Sequence, residues 1–123
     1  MRKKIFLTGA TGTMGWAGLQ ELLHYPEQYE VTVLARPSTN NQKKLKALAD
    51  KIHIIWGDLC NYENVLEGVT GADYVLHVGG MVSPKADYFP EKTLRVNVTA
   101  AQNIVKAILA QPEIGRAVQQ ECR

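Results

Sequence analysis

The sequence predicts an α/β fold, a doubly wound parallel sheet of about four strands. Three observations predict it. Four short apolar runs alternate with four helix-like segments along 123 residues. The runs are nearly continuous in hydrophobicity, as strands covered on both faces should be. A glycine-spaced turn joins the first run to the first helix. Strands alternating with helices imply βαβ units with right-handed crossovers.

The first run is Lys4-Ile5-Phe6-Leu7-Thr8. The helix after it carries Leu19, Leu22 and Leu23 at i, i+3, i+4, with Pro26 close behind. Val31-Thr32-Val33-Leu34-Ala35 is the second run. Leu45, Leu48 and Ala49 give the second helix a thin apolar stripe, and Lys43, Lys44, Lys46 and Lys51 read as its solvated side. Ile52-His53-Ile54-Ile55-Trp56 is the third run, followed by a short helix with Val65, Leu66 and Val69 that stops at Gly71. Tyr74-Val75-Leu76-His77-Val78 is the fourth. The last helix is the longest. Leu94, Val98, Ala101, Val105 and Ile108 step by 4, 3, 4, 3, which predicts one face packed on the sheet. Pro90 suits its first turn, where an N–H has no helical partner to lose, and Pro112 lies past its end.

Composition bounds the function classes. Hydrophobic residues are 46% and charged residues 21%, which excludes a disordered or fibrous chain. The formal charge is 14 − 12 = +2, too weak to argue for a nucleic-acid or membrane partner. No stretch nears the ~18 apolar residues of a membrane span. Thr8-Gly9 ends the N-terminal apolar run after Ile5-Phe6-Leu7, too soon for the ~7–15-residue core of a signal peptide. Cys60 and Cys122 form no CxxC and no metal spacing, so two reduced thiols in the cytoplasm are expected. Length predicts one domain, residues 1–118, with a polar tail at 119–123.

The chemistry concentrates in Thr8-Gly9-Ala10-Thr11-Gly12-Thr13-Met14-Gly15. Its glycines fall at i, i+3 and i+6, between a strand and a helix. A pyrophosphate must approach bare N–H groups at a helix N-terminus, where the dipole favours negative charge. Gly9 permits the tight turn, Gly12 removes a Cβ that would block the phosphates, and Gly15 lets the helix pack closely. No Lys-Ser/Thr follows, so this is not a Walker A loop. Thr8-Gly9-Ala10 also lacks the acidic pair of a phosphoacceptor domain.

This octapeptide resembles the TGxxGxxG fingerprint of the extended short-chain dehydrogenases/reductases, the NAD-dependent epimerase/dehydratase family. Three further segments resemble that family in order. Gly57-Asp58-Leu59 is similar to its Gly-Asp-Leu/Val element, whose aspartate lies near the adenine. Asp73-Tyr74-Val75-Leu76-His77-Val78-Gly79-Gly80 is similar to its DxVxHxAA strand, which runs under the cofactor. Asn97-Val98-Thr99 is similar to the NVxGT element of its long helix. The resemblance spans residues 3 to about 110 and implies a Rossmann-like sheet, here truncated after about four strands. It implies a cofactor-binding set of Gly9, Thr11, Gly12, Thr13, Met14 and Gly15 from the loop. Arg36, Asp58, Leu59, Gly79 and Asn97 complete the set, with Asn97 an anchor behind the active-site backbone.

The coenzyme is expected to be NADP(H), with NAD(H) the alternative. An acid ~20 residues after the glycines would hold the ribose 2′-hydroxyl of NAD. This chain has Ala35-Arg36-Pro37-Ser38 there, and no Asp or Glu between Val31 and Ala49. An arginine pairs bidentately with a 2′-phosphate. Thr11, Ser38 and Thr39 could add hydroxyl donors.

The family uses a tyrosine acid/base with a lysine four residues on and a Ser/Thr on the substrate oxygen. A phenol of pKa near 10 needs a nearby cation to exchange protons near pH 7. Tyr88-Phe89-Pro90-Glu91-Lys92 has the spacing but is rejected, because Pro90 puts Tyr88 ahead of the helix. Ser83 and Tyr88 fall instead in the family's substrate-side loop, Met81 to Phe89. No catalytic residue is therefore assigned. His77 reads as a packed residue near the cleft, His24 and His53 as structural, and no histidine pair has metal spacing.

The polar Gln119-Gln120-Glu121-Cys122-Arg123 replaces the expected fifth strand. The fourth strand would then be an open edge at Val75, Leu76 and Val78, so a homo-oligomer is expected. Two functions remain. One is the cofactor-binding portion of a reductase, epimerase or dehydratase acting on a small-molecule carbonyl or hydroxyl substrate. Nucleotide-sugar, steroid-like and flavonoid-like substrates all stay open. The other is a dinucleotide-binding module without catalysis, either a redox-cofactor sensor or an inert truncated fragment.

Overall fold

The computed structural model describes residues 2–79 and 90–111 and a strand at 116–119. In chain order the elements are β1 (Lys3–Thr8), α1 (Thr13–Leu22), β2 (Tyr29–Ala35), α2 (Thr39–Lys46) and β3 (His53–Trp56). Then come α3 (Tyr62–Val69), β4 (Tyr74–His77), α4 (Pro90–Leu109) and β5 (Arg116–Gln119). The strands form one sheet in the order β3-β2-β1-β4-β5. Every pairing is parallel. This is the doubly wound α/β architecture that the alternating runs predict.

Helices cover both faces because the inner strands β1 and β2 bury side chains on both sides. On one face Leu7, Val31 and Val33 meet Leu19 of α1 and Leu45 of α2. On the other, Phe6, Leu34, Ile55 and Val75 meet Val65 and Val69 of α3 and Ile104 and Ala107 of α4. Phe6 sits at the centre of the second layer, fully buried. Gly68 of α3 lies so close above its ring that a Cβ there would collide with it. Side-chain caps start two of the helices. Ser38 caps α2, its hydroxyl accepting from the Asn41 amide at 3.2 Å. Asn61 caps α3 in the same way through the Glu63 amide, at 3.0 Å.

Several expectations are corrected. β5 forms and pairs with the whole of β4, Tyr74↔Arg116 through His77↔Gln119. Strand pairing is a backbone interaction, so four residues without a long apolar run suffice. β4 is therefore interior, and self-association through an open β4 edge loses its basis. α4 also turns a different face inward. Ala100, Ile104 and Ala107 are buried, whereas Leu94 is 67% exposed, Val98 43% and Val105 52%. Ile108 alone of the large predicted residues packs on the core. Two stripes of similar period run side by side on α4. The one with alanines brings the helix axis close to the sheet, and bulk alone did not reveal it.

α2 stops at Lys46, leaving the partly buried Leu48 and the exposed Ala49 beyond it. His24 and His53 are exposed rather than built into the structure. Pro90 is the first residue of α4, as expected. Ser83, Tyr88 and the rest of Met81–Phe89 lie outside the described residues.

Candidate functional site

The strand order reverses between β1 and β4, since β1 leads to β2 on one side while β4 pairs on the other. In an open parallel sheet the loops at the carboxyl ends then diverge and leave a crevice. A cavity of about 460 Å³ lies there.

Its floor is the turn from β1 to α1. Gly9 has φ +76°, a left-handed value that side chains resist. A Cβ on Gly9 would also stand 2.7 Å from the Gly79 amide nitrogen, so the turns after β1 and β4 interlock. The Gly12 amide donates to the Gly9 carbonyl at 3.1 Å and closes the turn. A Cβ on Gly15 would collide with that carbonyl, which holds the start of α1 against the turn. Gly12 is different. A Cβ there would meet only the Gly9 carbonyl oxygen, at 3.5 Å, and would otherwise project into open space. Gly12 caps α1 without a side-chain hydrogen bond, and the first turn of α1 holds no acidic residue. The amides of that turn border the cavity without an anion of the chain's own.

The far rim comes from the ends of β2 and β3. Arg36 follows β2 and Asp58 follows β3, with Arg36 Nε 4.0 Å from Asp58 Oδ2. Arg36 is 70% exposed, so this is a loose pair with little stabilising value. Asp58 is otherwise engaged in its own loop, accepting from the Cys60 amide at 2.8 Å. Burial first, and then the Asp58 carboxylate, push the Cys60 thiol above its ordinary value of 9.0. From α4, Asn103 Nδ2 donates to the Leu59 carbonyl at 2.8 Å and ties this loop to the sheet's cover. Lys44 is exposed, as its lysine-rich face predicts, and also braces the glycine turn. Its Nζ donates to the Thr11 carbonyl at 2.8 Å and lies 4.6 Å above the Trp16 ring, so a cation braces the glycine turn.

Under the crevice is a buried polar cluster. Thr8 Oγ1 accepts from the Val78 amide at 3.0 Å and from the Gly79 amide at 2.9 Å. It lies 2.8 Å from His77 Nδ1. Burial lowers the His77 pKa below the ordinary 6.5.

Gly9, Thr11, Gly12, Thr13, Met14, Gly15, Arg36, Asp58, Leu59 and Gly79 all line the cavity, so the structure gathers them from four loops. Asn97 does not line it; its neighbour Val96 does. Leu34, Ala35, Asn41, Gly57 and Val78 also line it and were not singled out from sequence. Most of them end β2 or follow β3 and β4, so the strand-end rule would have found them. Asn41 is placed instead by its own bond, Nδ2 to the Arg36 carbonyl at 2.9 Å. Among the described residues no group of three or more His, Cys, Asp or Glu is placed to hold a metal. No described helix is long and apolar enough to cross a membrane.

Comparison with known proteins gives the same picture. UDP-glucose 4-epimerase of Rickettsia akari is 28% identical over 112 residues, 87% of this chain and 33% of that protein. The enzyme of Rickettsia bellii is 27% identical over 110 residues, 85% of this chain and 32% of that one. The chain thus spans about a third of the length of the curated relatives it matches. A crystal structure of Pen from Bacillus thuringiensis superposes with a TM-score of 0.82 at 31% identity, covering 95% of this chain and 36% of that one. UDP-glucose 4-epimerase of Thermotoga maritima superposes with a TM-score of 0.77 at 16% identity, covering 94% and 37%, which speaks to the fold. Residues 5–120, nearly the whole chain, match the NAD dependent epimerase/dehydratase family. With its glycine turn, strand order and crevice in agreement, the chain belongs to that family.

Proposed function

We propose that residues 1–118 bind a nicotinamide dinucleotide in the crevice above β1 and β4, as the cofactor-binding portion of an oxidoreductase or isomerase. The carrying observation is the uncapped start of α1, framed by Gly9, Gly12 and Gly15 and open to the cavity. The space a Gly12 side chain would take is open, which supports a pyrophosphate lying there. The amides of Gly12 through Gly15 would hold the pyrophosphate, with Thr11, Thr13 and Met14 around it. Asp58 and Leu59 would border the adenine, Gly79 would lie beneath the coenzyme, and Asn97 would act from α4. When bound, the nicotinamide ring supplies hydride transfer.

NADP(H) is the preferred form in this reading. Arg36 stands where an acid would serve NAD, and Lys44 adds a second cation at Thr11. The substrate in the intact enzyme would be a small molecule with a carbonyl or hydroxyl group. A nucleotide sugar is favoured by what the relatives are named for. The tyrosine–lysine pair is not assigned here, so the chain alone would bind coenzyme without turnover. Weak net charge and two widely separated cysteines favour a cytoplasmic setting. Titration with NAD, NADP and their reduced forms tests the proposal. We expect micromolar binding with NADP(H) tighter, and no binding of any form would overturn it. Turnover of a UDP-sugar or carbonyl substrate by this chain would overturn the assignment of catalysis elsewhere.

A further inference from the structure

The crevice rests on a buried hydroxyl whose hydrogen-bonding capacity is fully used. A threonine hydroxyl has one proton and two acceptor sites. The Val78 and Gly79 amides take both acceptor sites of Thr8 Oγ1. The hydroxyl proton is left with one partner, His77 Nδ1 at 2.8 Å. Thr8 is 0% and His77 5% exposed, so bulk water does not substitute. Nδ1 must then be bare, with the ring proton on Nε2.

We propose that His77 is a positioning residue for the dinucleotide cradle: its unprotonated Nδ1 aims the Thr8 hydroxyl so that Thr8 clamps the turn after β4 against the Gly9 turn. The proposal rests on the reading of the crevice as a dinucleotide site. Its lever is the interlock of Gly9 with Gly79, where no Cβ fits. A proton on Nδ1 turns an acceptor into a donor. Thr8 Oγ1 would then face three donors with two acceptor sites, and one amide of the turn would be released.

The surroundings favour the neutral ring. In β5 the register partners of Val75 and His77 are Ala117 and Gln119, neither a charged residue. Lys4 on β1, Glu63 and Glu67 on α3, and Arg95 and Lys106 on α4 are exposed, and Asp58 is half-buried. Burial is the one cause that lowers the His77 pKa, and none of these charges offsets it.

Imidazole nitrogen shifts and coenzyme titrations on this chain test the proposal together. His77→Asn keeps an acceptor, Oδ1, near the place of Nδ1 but does not titrate. His77→Leu removes the acceptor. The ring should show bare Nδ1 and protonated Nε2 near neutral pH. Wild-type NADP affinity should fall about tenfold once the ring takes its proton, at a pH below the ordinary 6.5, in step with the Val78 and Gly79 amide shifts. His77→Asn should bind within about threefold of wild type near neutral pH and lose that added pH dependence, while His77→Leu should bind about tenfold more weakly throughout. A proton on Nδ1, an Asn variant with the wild-type pH profile, or a Leu variant that binds normally would each overturn it. If no coenzyme binds, the function reading fails, yet the ring tautomer and the two amide shifts still decide the His77 role. If His77→Leu does not fold, the tautomer and the Asn variant decide it.

Discussion

Gly12 faces the cavity while Gly9 and Gly15 face protein, so the three glycines of one turn predict different mutants. Gly12→Leu should leave the fold intact and abolish coenzyme binding, because the new side chain enters open space. Calorimetric titration beside a melting curve checks this, with a Tm near wild type expected. Gly15→Leu should lower stability as well, since its Cβ strikes the Gly9 carbonyl. Arg36→Ala should weaken NADP(H) by about tenfold or more and NAD(H) little, as measured by titration of both; equal losses would argue against a 2′-phosphate contact. Cys60 is exposed, yet its thiol pKa is raised, so at neutral pH it should react with iodoacetamide more slowly than free cysteine. Sequence showed the glycines and Arg36 because each breaks a local pattern. Lys44 was invisible in that sense. Its bond to Thr11 spans 33 residues, and its lysine neighbours made it look like ordinary surface.

The helices differ in how much of their packing their own residues reveal. α3 is short, but two of its three predicted apolar residues, Val65 and Val69, are buried, and the third, Leu66, packs against the same core. In α4 the apolar residues split between two stripes, and only the structure says which is inside. Ile104→Ala should cost about 2–4 kcal/mol, and Leu94→Ala less than about 0.5 kcal/mol, in denaturant unfolding. The reverse ranking would mean that Leu94 is covered in solution. For α2, Ser38→Ala should cost about 1 kcal/mol through loss of the cap on Asn41. Strand positions were readable because central parallel strands are apolar throughout. β5 was not, because Arg116-Ala117-Val118-Gln119 carries no long apolar run.

The molecule as a whole joins strands that are far apart in sequence, and its pH response follows from one buried ring at their junction. His77 has a lowered pKa in the folded state, so the unfolded chain binds more protons below pH 6.5. Its contribution is complete above that pH and is lost as pH falls from 6.5 toward the lower folded value. Acid should therefore destabilise the protein more than His77→Asn in that window, as followed by urea unfolding at several pH values. The fold class followed from alternation, and the crevice from strand order, so both were legible early. The interlock of Gly9 with Gly79 was not, because nothing in either segment names the other.

Ile5 pairs with Val31 on one side and with Tyr74, 69 residues ahead, on the other. On a nascent or refolding chain, β1 thus gains its first neighbour early and waits for its second until nearly eighty residues exist. Closing so long a loop is the slow kind of event in chain collapse. The crevice can take its final shape only after that closure, so coenzyme binding as proposed should be among the last properties to emerge during maturation.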